Sequence, residues 1–502
     1  MSLNVLPNLD RPTFGVEVEF MIATLPDNNT IDPHKDVKDL PPVLRIPIHT
    51  GKTGYAIQRV RAVLEECFSD VSFATSPKFD GIHRDYRAWI VHSDPSVRGP
   101  RSGPYRFISV EIASPVQSAS PDAFYAIRFA VSVITSKFRC MVNSSCGLHV
   151  HVGLGNERIP LEHIRRFASL SYAAEALLFT LHEPHRRVND YCRSLRDYSY
   201  IANEGRGRNI ENEMAHSKDE MLRIVEGETI GDCYGYIGRD IRHGEEPLSV
   251  RNDNVDQAHI DAFLETRQPG HFEPFTKPGD SRHTKLLPEI SDRIPAAQPA
   301  SSSTVAPPAE PARKRNIPRL RMPRFGLGEL LALRRTLEED VEIGRGAPPE
   351  RINQLIKRGP GPGVFEVTEQ LYSQPATCFI SMLLDELYRP ATNFENYSCY
   401  SLDPSSDRRT VEIRFGSGSL DAEWVATWAK IVVGLFRFAL YASPSMFIDV
   451  LDGCDRADKE DGSYDVIDLL DDLGLFAEAE IAEKRLMANK DRWNLTFVEP
   501  ES

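Results

Sequence analysis

Residues 14–22 read Phe-Gly-Val-Glu-Val-Glu-Phe-Met-Ile. Side chains alternate across a strand, so Phe14, Val16, Val18, Phe20 and Ile22 share one face while Glu17 and Glu19 lie on the other. Three distant segments repeat this arrangement. In Arg106–Ser114, Glu111 shares a face with Phe107, Ser109 and Ala113. In Gly147–Val152, the apolar Leu148, Val150 and Val152 oppose His149 and His151. In Thr410–Phe415, the apolar Val411, Ile413 and Phe415 oppose Glu412 and Arg414. Singly, each is an ordinary half-solvated strand. If all four share one sheet, four carboxylates, two imidazoles and a guanidinium collect on its non-core face.

Helical patterns follow these strands. Ser120 is an N-cap with Pro121 in the first turn of DAFYAIRFAVSVI. Pro160 opens a stripe of Leu161, Ile164, Phe167, Leu170, Ala174, Leu177 and Leu181. Gly416-Ser-Gly-Ser419 leads into a helix over about Asp421–Tyr441, and it reads equally as a plain turn with N-cap or as amides offered to a phosphate. The alternation predicts an α+β fold, a sheet with helices on one face and an open catalytic cleft on the other.

The 502 residues suggest two or three units at about 150 residues each. Residues 294–312, IPAAQPASSSTVAPPAEPA, are almost wholly Pro, Ala and Ser and predict a disordered insertion. RKRNIPRLRMPR (Arg313–Arg324) follows, with six basic residues and no acid; it reads as a solvated basic flank or, alternatively, a nuclear-import or polyanion-binding arm. The expected division is a catalytic domain in two parts, 10–293 and 326–445, a disordered linker over 294–325, and an acidic helical tail over 446–502.

A net charge of −14 disfavours nucleic acid as a partner. Val425–Ala442 is apolar but carries Lys430 and Arg437, which disfavours a membrane span. Eight cysteines without a C-x-x-C pair read as reduced thiols. The N-terminus lacks a charged n-region and apolar h-region, so the expected location is cytoplasmic, with a nuclear location open through residues 313–324.

Clustered carboxylates with an occasional histidine suit Mg²⁺ or Mn²⁺, and Mg²⁺ commonly bridges to substrate phosphates, so ATP is the natural partner. Arg414 would then stabilise a transferring phosphoryl group. No Walker A sequence is present, and Gly359-Pro-Gly-Pro-Gly363 lacks amide donors at its prolines.

At these residues the chain resembles the amidoligase family, carboxylate–amine ligases similar in fold to glutamine synthetase and glutamate–cysteine ligase. The matching segments are FGVEVEF (14–20), WIVHSDPS (89–96), VEIASP (110–115), CGLHVHVG (146–153), HRRVNDYCRSL (185–195) and RTVEIRFGSGSLD (409–421). The resemblance implies a curved antiparallel sheet whose polar face binds Mg²⁺ and ATP, and an acyl phosphate that an amine converts to an amide. By resemblance, Glu17, Glu19, Glu111, His149 and Glu412 are metal ligands, Arg414 and Glu412 are catalytic, and His151, Asp94, Ser114 and Arg193 contact nucleotide or substrate. Pro95 stands where the family has Gly, and YSCYSLDP after Asn396 lacks an expected asparagine. The substrate would be a small molecule, peptide or amine; nothing in the sequence selects one, or an oligomeric state. Two other readings stay open. One is a zinc hydrolase using His149 and His151; the other is a non-catalytic binding protein that keeps the fold.

Overall fold

The strand that opens the sequence argument is the organiser of the sheet. β1 (Thr13–Pro26) is flanked by β5 (Arg106–Ala113) and β8 (Gly147–Gly153), both antiparallel to it. The sheet runs β3 (Phe73–Thr75), β4 (Trp89–His92), β5, β1, β8, β10 (Val411–Ser417), β9 (Thr392–Asn393). Three short strands, β2 (Leu44–Ile46), β6 (Gln117–Ser118) and β7 (Cys140–Met141), add to β1. The sheet is open and mostly antiparallel; β1–β2 and β3–β4 pair in parallel. The computed structural model describes residues 12–27, 30–68, 73–75, 88–100, 103–155, 157–204, 313–325, 327–341, 361–374, 377–384, 389–398 and 409–498. The expected insertion over 294–312, the rest of the 205–293 region and the segment 399–408 lie outside them.

The helices are α1 (Lys52–Cys67), α2 (Pro121–Lys137), α3 (Leu161–Phe179), α4 (Leu327–Val341), α5 (Val364–Tyr372), α6 (Thr377–Leu384), α7 (Ala422–Tyr441), α8 (Pro444–Lys459), α9 (Val466–Asp472) and α10 (Phe476–Ala488). The apolar face of β1 is buried in one continuous core with α1, α2, α3 and α7. Burying each Val, Phe or Ile side chain contributes about 1.5–3 kcal/mol, so the alternation fixes which way the sheet faces. Ser120 caps α2 by accepting from the Ala123 amide, as its sequence predicts. α7 is long and apolar enough to cross a membrane, but most of it is buried inside the protein. Its last carbonyls, of Ala439 and Ala442, accept from the buried Arg166 guanidinium on α3, which also lies over the Phe447 ring.

Two expectations are corrected here. The described residues 446–498 carry three helices, and these are no separate tail: Phe447, Val450, Leu451, Val466, Ile467, Leu469, Leu470 and Leu486 enter the same core as the sheet. Nor are residues 313–325 a disordered linker or a solvated basic flank. Arg313 pairs with Asp471 and Glu483, Arg315 with Asp465 and Asp468, Arg319 with Asp468, and Arg321 with Asp461. Leu320 is fully buried, donates its amide to Asp465 at 2.6 Å, and bridges to Phe497. The acidic surface of α9 and α10 is the counter-charge that the basic run needs, so the run is a clasp over the C-terminal helices.

Glu175, buried on α3, accepts from the Ser194 hydroxyl at 2.5 Å and the Leu195 amide at 2.8 Å, tying down the turn at Leu195–Tyr198. Burial pushes its carboxyl up to about 7. The folded form therefore favours the proton, and with an unfolded value of about 4.3 the stabilisation is complete below pH 4 and lost as pH rises through 7. Glu175→Gln, which keeps the shape without the charge, is expected to gain about 2–3 kcal/mol on the wild type between pH 5 and pH 8 in urea unfolding. A constant difference across that range would remove the proton from the account.

Candidate functional site

Register brings the charged residues together. Glu17 lies opposite His149, Glu412 opposite His151, and Glu19 directly opposite Glu111. Like charges facing across strands are destabilising, more so when buried. Both Glu19 and Glu111 are 4% exposed.

His149 stands at the centre of the cluster. Its Nδ1 is 3.3 Å from Glu17 Oε2 and 3.5 Å from Glu412 Oε1, and its Nε2 is 3.9 Å from Glu19 Oε1. His151 Nε2 is 3.4 Å from Glu17 Oε1 and 3.8 Å from Glu412 Oε1. Among these groups the His151 side chain is the most open, at 24% exposure, so it marks the rim. The remaining side chains are largely covered. At its far end, Met21 packs with Val97 and Cys146, and Ala23 and Leu25 with Val43, so part of the second sheet face carries an apolar layer of its own.

Two groups of donor atoms, each within 4.8 Å of one another, divide this face. One is Glu17, His151 and Glu412; the other is Glu19, Asp94 and Glu111. Oxygen-rich triads of this size fit a hard divalent cation, and neither contains the two imidazoles and sulfur that a zinc site would favour. Sequence reasoning placed Asp94 among substrate contacts; the structure places it with the carboxylates. Its Oδ1 accepts from the Ser96 amide across Pro95.

The charges shift one another. Burial pushes the Glu17 carboxyl up, but His151 and His149 outweigh it and hold it well below the usual range. Burial raises Glu19. Burial, with Glu17 and Glu19 close by, pushes Glu111 up to about 7. Against burial, Glu17 and Glu412 lift His151 to about 9, and His149 is also raised by Glu19, Glu17 and Glu412. Arg414 and the two imidazoles lower Glu412 despite its burial.

A bulge in the β10–β8 ladder between Ile413 and Gly416 aims Arg414 back toward Glu412. The two side chains are ion-paired, and Arg414 Nε donates to the Tyr191 carbonyl at 3.3 Å. The carbonyls of Arg414 and Phe415, freed by the bulge, accept from the buried Arg186 at 2.8 and 3.3 Å. The Arg-rich element 185–195 therefore braces β10 from behind. Gly416 is required there, because a Cβ would collide with the Leu148 carbonyl and come within 2.8 Å of Trp428 Nε1.

Three groups that the sequence offered to nucleotide or substrate are engaged within the fold. Ser114 is buried, with its hydroxyl accepting from the Val16 amide at 3.0 Å and donating to the Pro115 carbonyl at 3.1 Å, so it joins β1 to the end of β5. Arg193 lies 3.8 Å from Asp190 and over the Tyr198 ring. The Gly416–Ser419 turn offers no phosphate cradle: the Ser417 amide donates to His182 Nδ1 at 3.2 Å, Gly418 to the Cys146 carbonyl at 2.9 Å, and Asp421 to Ser419 Oγ at 3.2 Å. Burial, with Arg485 and Arg186, holds His182 well below the usual range, which keeps it a neutral acceptor.

Two residues were missed. His92 Nε2 is 3.0 Å from Glu111 Oε1. Asn393 Nδ2 donates to Glu412 Oε2 at 3.3 Å, so the amide sought after Asn396 comes from just before it. β4 is buried on both faces and β9 is two residues long, so neither carries an alternation to read.

Gly147 serves the cluster by having no side chain. Its amide donates to Glu19 Oε2 at 2.6 Å, and an added Cβ would collide with His149 Nε2 and lie 3.3 Å from Glu19 Oε2. Gly147→Ala is expected to lower stability by about 1–3 kcal/mol through overpacking and to weaken divalent-cation uptake at least ~10-fold through the displaced imidazole. Unchanged urea and Mg²⁺ titrations would show that the ring has room to swing away.

Residues 10–227 match a family model described as "putative amidoligase enzyme". This bears out the family resemblance over that segment, and it supports a ligase-type enzyme. No curated protein and no solved structure matches the chain.

Proposed function

We propose that the protein is an ATP- and Mg²⁺-dependent ligase that joins a carboxylate to an amine through an acyl phosphate. The observation that carries the reading is the pair of carboxylate-rich donor groups side by side on one sheet face, within a chain whose residues 10–227 match the amidoligase family. Glu17, His151 and Glu412 would hold one cation, and Glu19, Asp94 and Glu111 another, with His149 between them. When bound, Mg²⁺ supplies positive charge against the oxygens of the nucleotide phosphates.

The substrate carboxylate attacks the γ-phosphorus of ATP and ADP leaves; the amine then attacks the acyl carbon and phosphate leaves. Arg414, charged and held against Glu412, is placed to balance charge on the phosphoryl group in transit.

A zinc hydrolase is less well supported, because the donor groups pair His151 with two carboxylates and leave the second triad all oxygen. The test is release of ADP and phosphate by purified protein given ATP, Mg²⁺ and pools of carboxylic acids, amino acids and amines. The reading requires that release depend on both an acid and an amine. Stoichiometric zinc surviving dialysis, with no uptake of ATP by calorimetry, would replace it with the hydrolase.

A further inference from the structure

We propose that His92 is a fourth ligand of the Glu19–Asp94–Glu111 group and turns it from a Mg²⁺ site into one that prefers Mn²⁺. The inference rests on the two-cation reading above and deepens it. His92 closes β4 and lies in register opposite Glu111, two residues before Asp94, so the strand delivers it to the same face. It is nearly buried, with its side chain 11% exposed, and its Nε2 is 3.0 Å from Glu111 Oε1. Neighbouring ligands on an octahedral ion with bonds of about 2.1 Å stand about 3 Å apart, so His92 Nε2 and Glu111 Oε1 have the spacing of adjacent ligands; His92 lies outside the set of atoms within 4.8 Å of one another that Glu19, Asp94 and Glu111 form, and its ring must turn toward them to join the ion.

The other ring nitrogen fixes the orientation. His92 Nδ1 faces the Ser93 carbonyl at 3.4 Å, so with a cation drawing on Nε2 the ring has an acceptor on its other side for the Nδ1 proton. The neighbouring Ser93 hydroxyl is held by Ser109 at 2.8 Å, which steadies the end of the strand. Three carboxylates alone are a hard oxygen set suited to Mg²⁺. An added imidazole favours a cation that accepts nitrogen, and among ions of octahedral habit that is Mn²⁺ before Mg²⁺.

The test uses the full-length protein, with free Mn²⁺ followed by electron paramagnetic resonance and Mg²⁺ as competitor. In the wild type two Mn²⁺ ions should bind. In His92→Gln, which fills the same space and offers an amide oxygen, one of the two should bind Mn²⁺ at least ~10-fold more weakly while Mg²⁺ competes better at that site. His92→Ala should lose Mn²⁺ affinity to a similar extent without the gain for Mg²⁺; melting curves without metal establish that both variants are folded. Mn²⁺ isotherms that coincide in wild type and His92→Gln overturn the role of His92 and leave the two-cation reading standing. Uptake of neither ion by the wild type overturns both.

Discussion

Glu412→Ala is expected to lower acid- and amine-dependent ADP release by at least ~10³-fold, the loss typical when a preorganised charge is removed from the reacting centre. Glu412 is the point where the two halves of the chain meet in the site. Its carboxylate lies within 4 Å of both imidazoles, pairs with Arg414 and accepts from Asn393. Without it, one donor triad keeps only Glu17 and His151, and Arg414 loses its anchor. Glu412→Gln separates the two effects. Glutamine keeps an acceptor for Arg414 and fills the same space, so if cation charge balance is what matters, the two variants should be equally inactive. A glutamine variant with most of the wild-type rate would assign Glu412 to bracing Arg414. ADP release unchanged in the alanine variant would refute the site. Mg²⁺-dependent elevation of the melting temperature gives a second readout, which should shrink in both.

Asp465→Ala is expected to lower stability by about 3–5 kcal/mol, the range for breaking one partner out of a buried ion pair. Asp465 is fully buried and satisfies three things together. It caps α9 by accepting from the Ile467 and Asp468 amides at 2.9 and 3.2 Å, it pairs with Arg315, and it accepts the Leu320 amide. Alanine leaves a helix end, a guanidinium and a buried amide without their acceptor. Asp465→Asn keeps the cap and loses the charge, and is expected to fall between the two in urea unfolding. Asp465→Ala should also free Arg313–Arg324 for tryptic cleavage in native buffer. Resistance of that run to trypsin in Asp465→Ala would mean that Leu320 and the other ion pairs hold it alone.

The site was legible where one period governed it. Glu17 and Glu19 on β1, His149 and His151 on β8, and Glu412 and Arg414 on β10 all lie opposite apolar residues at period two, so burial of one face announces the other. The order of strands was not legible, nor was the division into two donor triads. Both depend on register, which the partner strand sets. His92 was hidden because every residue of β4 is buried, and the strand-joining bonds of Ser114 were hidden because motif position says nothing of where a hydroxyl points. The clasp shows the limit most plainly. A run of arginines has the same sequence whether water or Asp465, Asp468 and Asp471 surrounds it, and those partners lie some 150 residues away. Gly416–Ser419 failed as a phosphate loop for a similar reason: its amides were already engaged by His182 and Cys146, neither of which a turn pattern reveals.

The adjacency of β8 and β10 has a consequence for biosynthesis. The strands pair residue by residue, yet about 260 residues of chain separate them, a closure that costs about 5 kcal/mol in entropy. At ordinary translation rates the ribosome needs roughly 10–50 s to traverse that interval. Until then Leu148, Val150 and Val152 line an uncovered edge, the kind that recruits foreign strands. Yield in a heterologous host should therefore respond to slower synthesis and to holdase chaperones more than to the final stability of the folded enzyme.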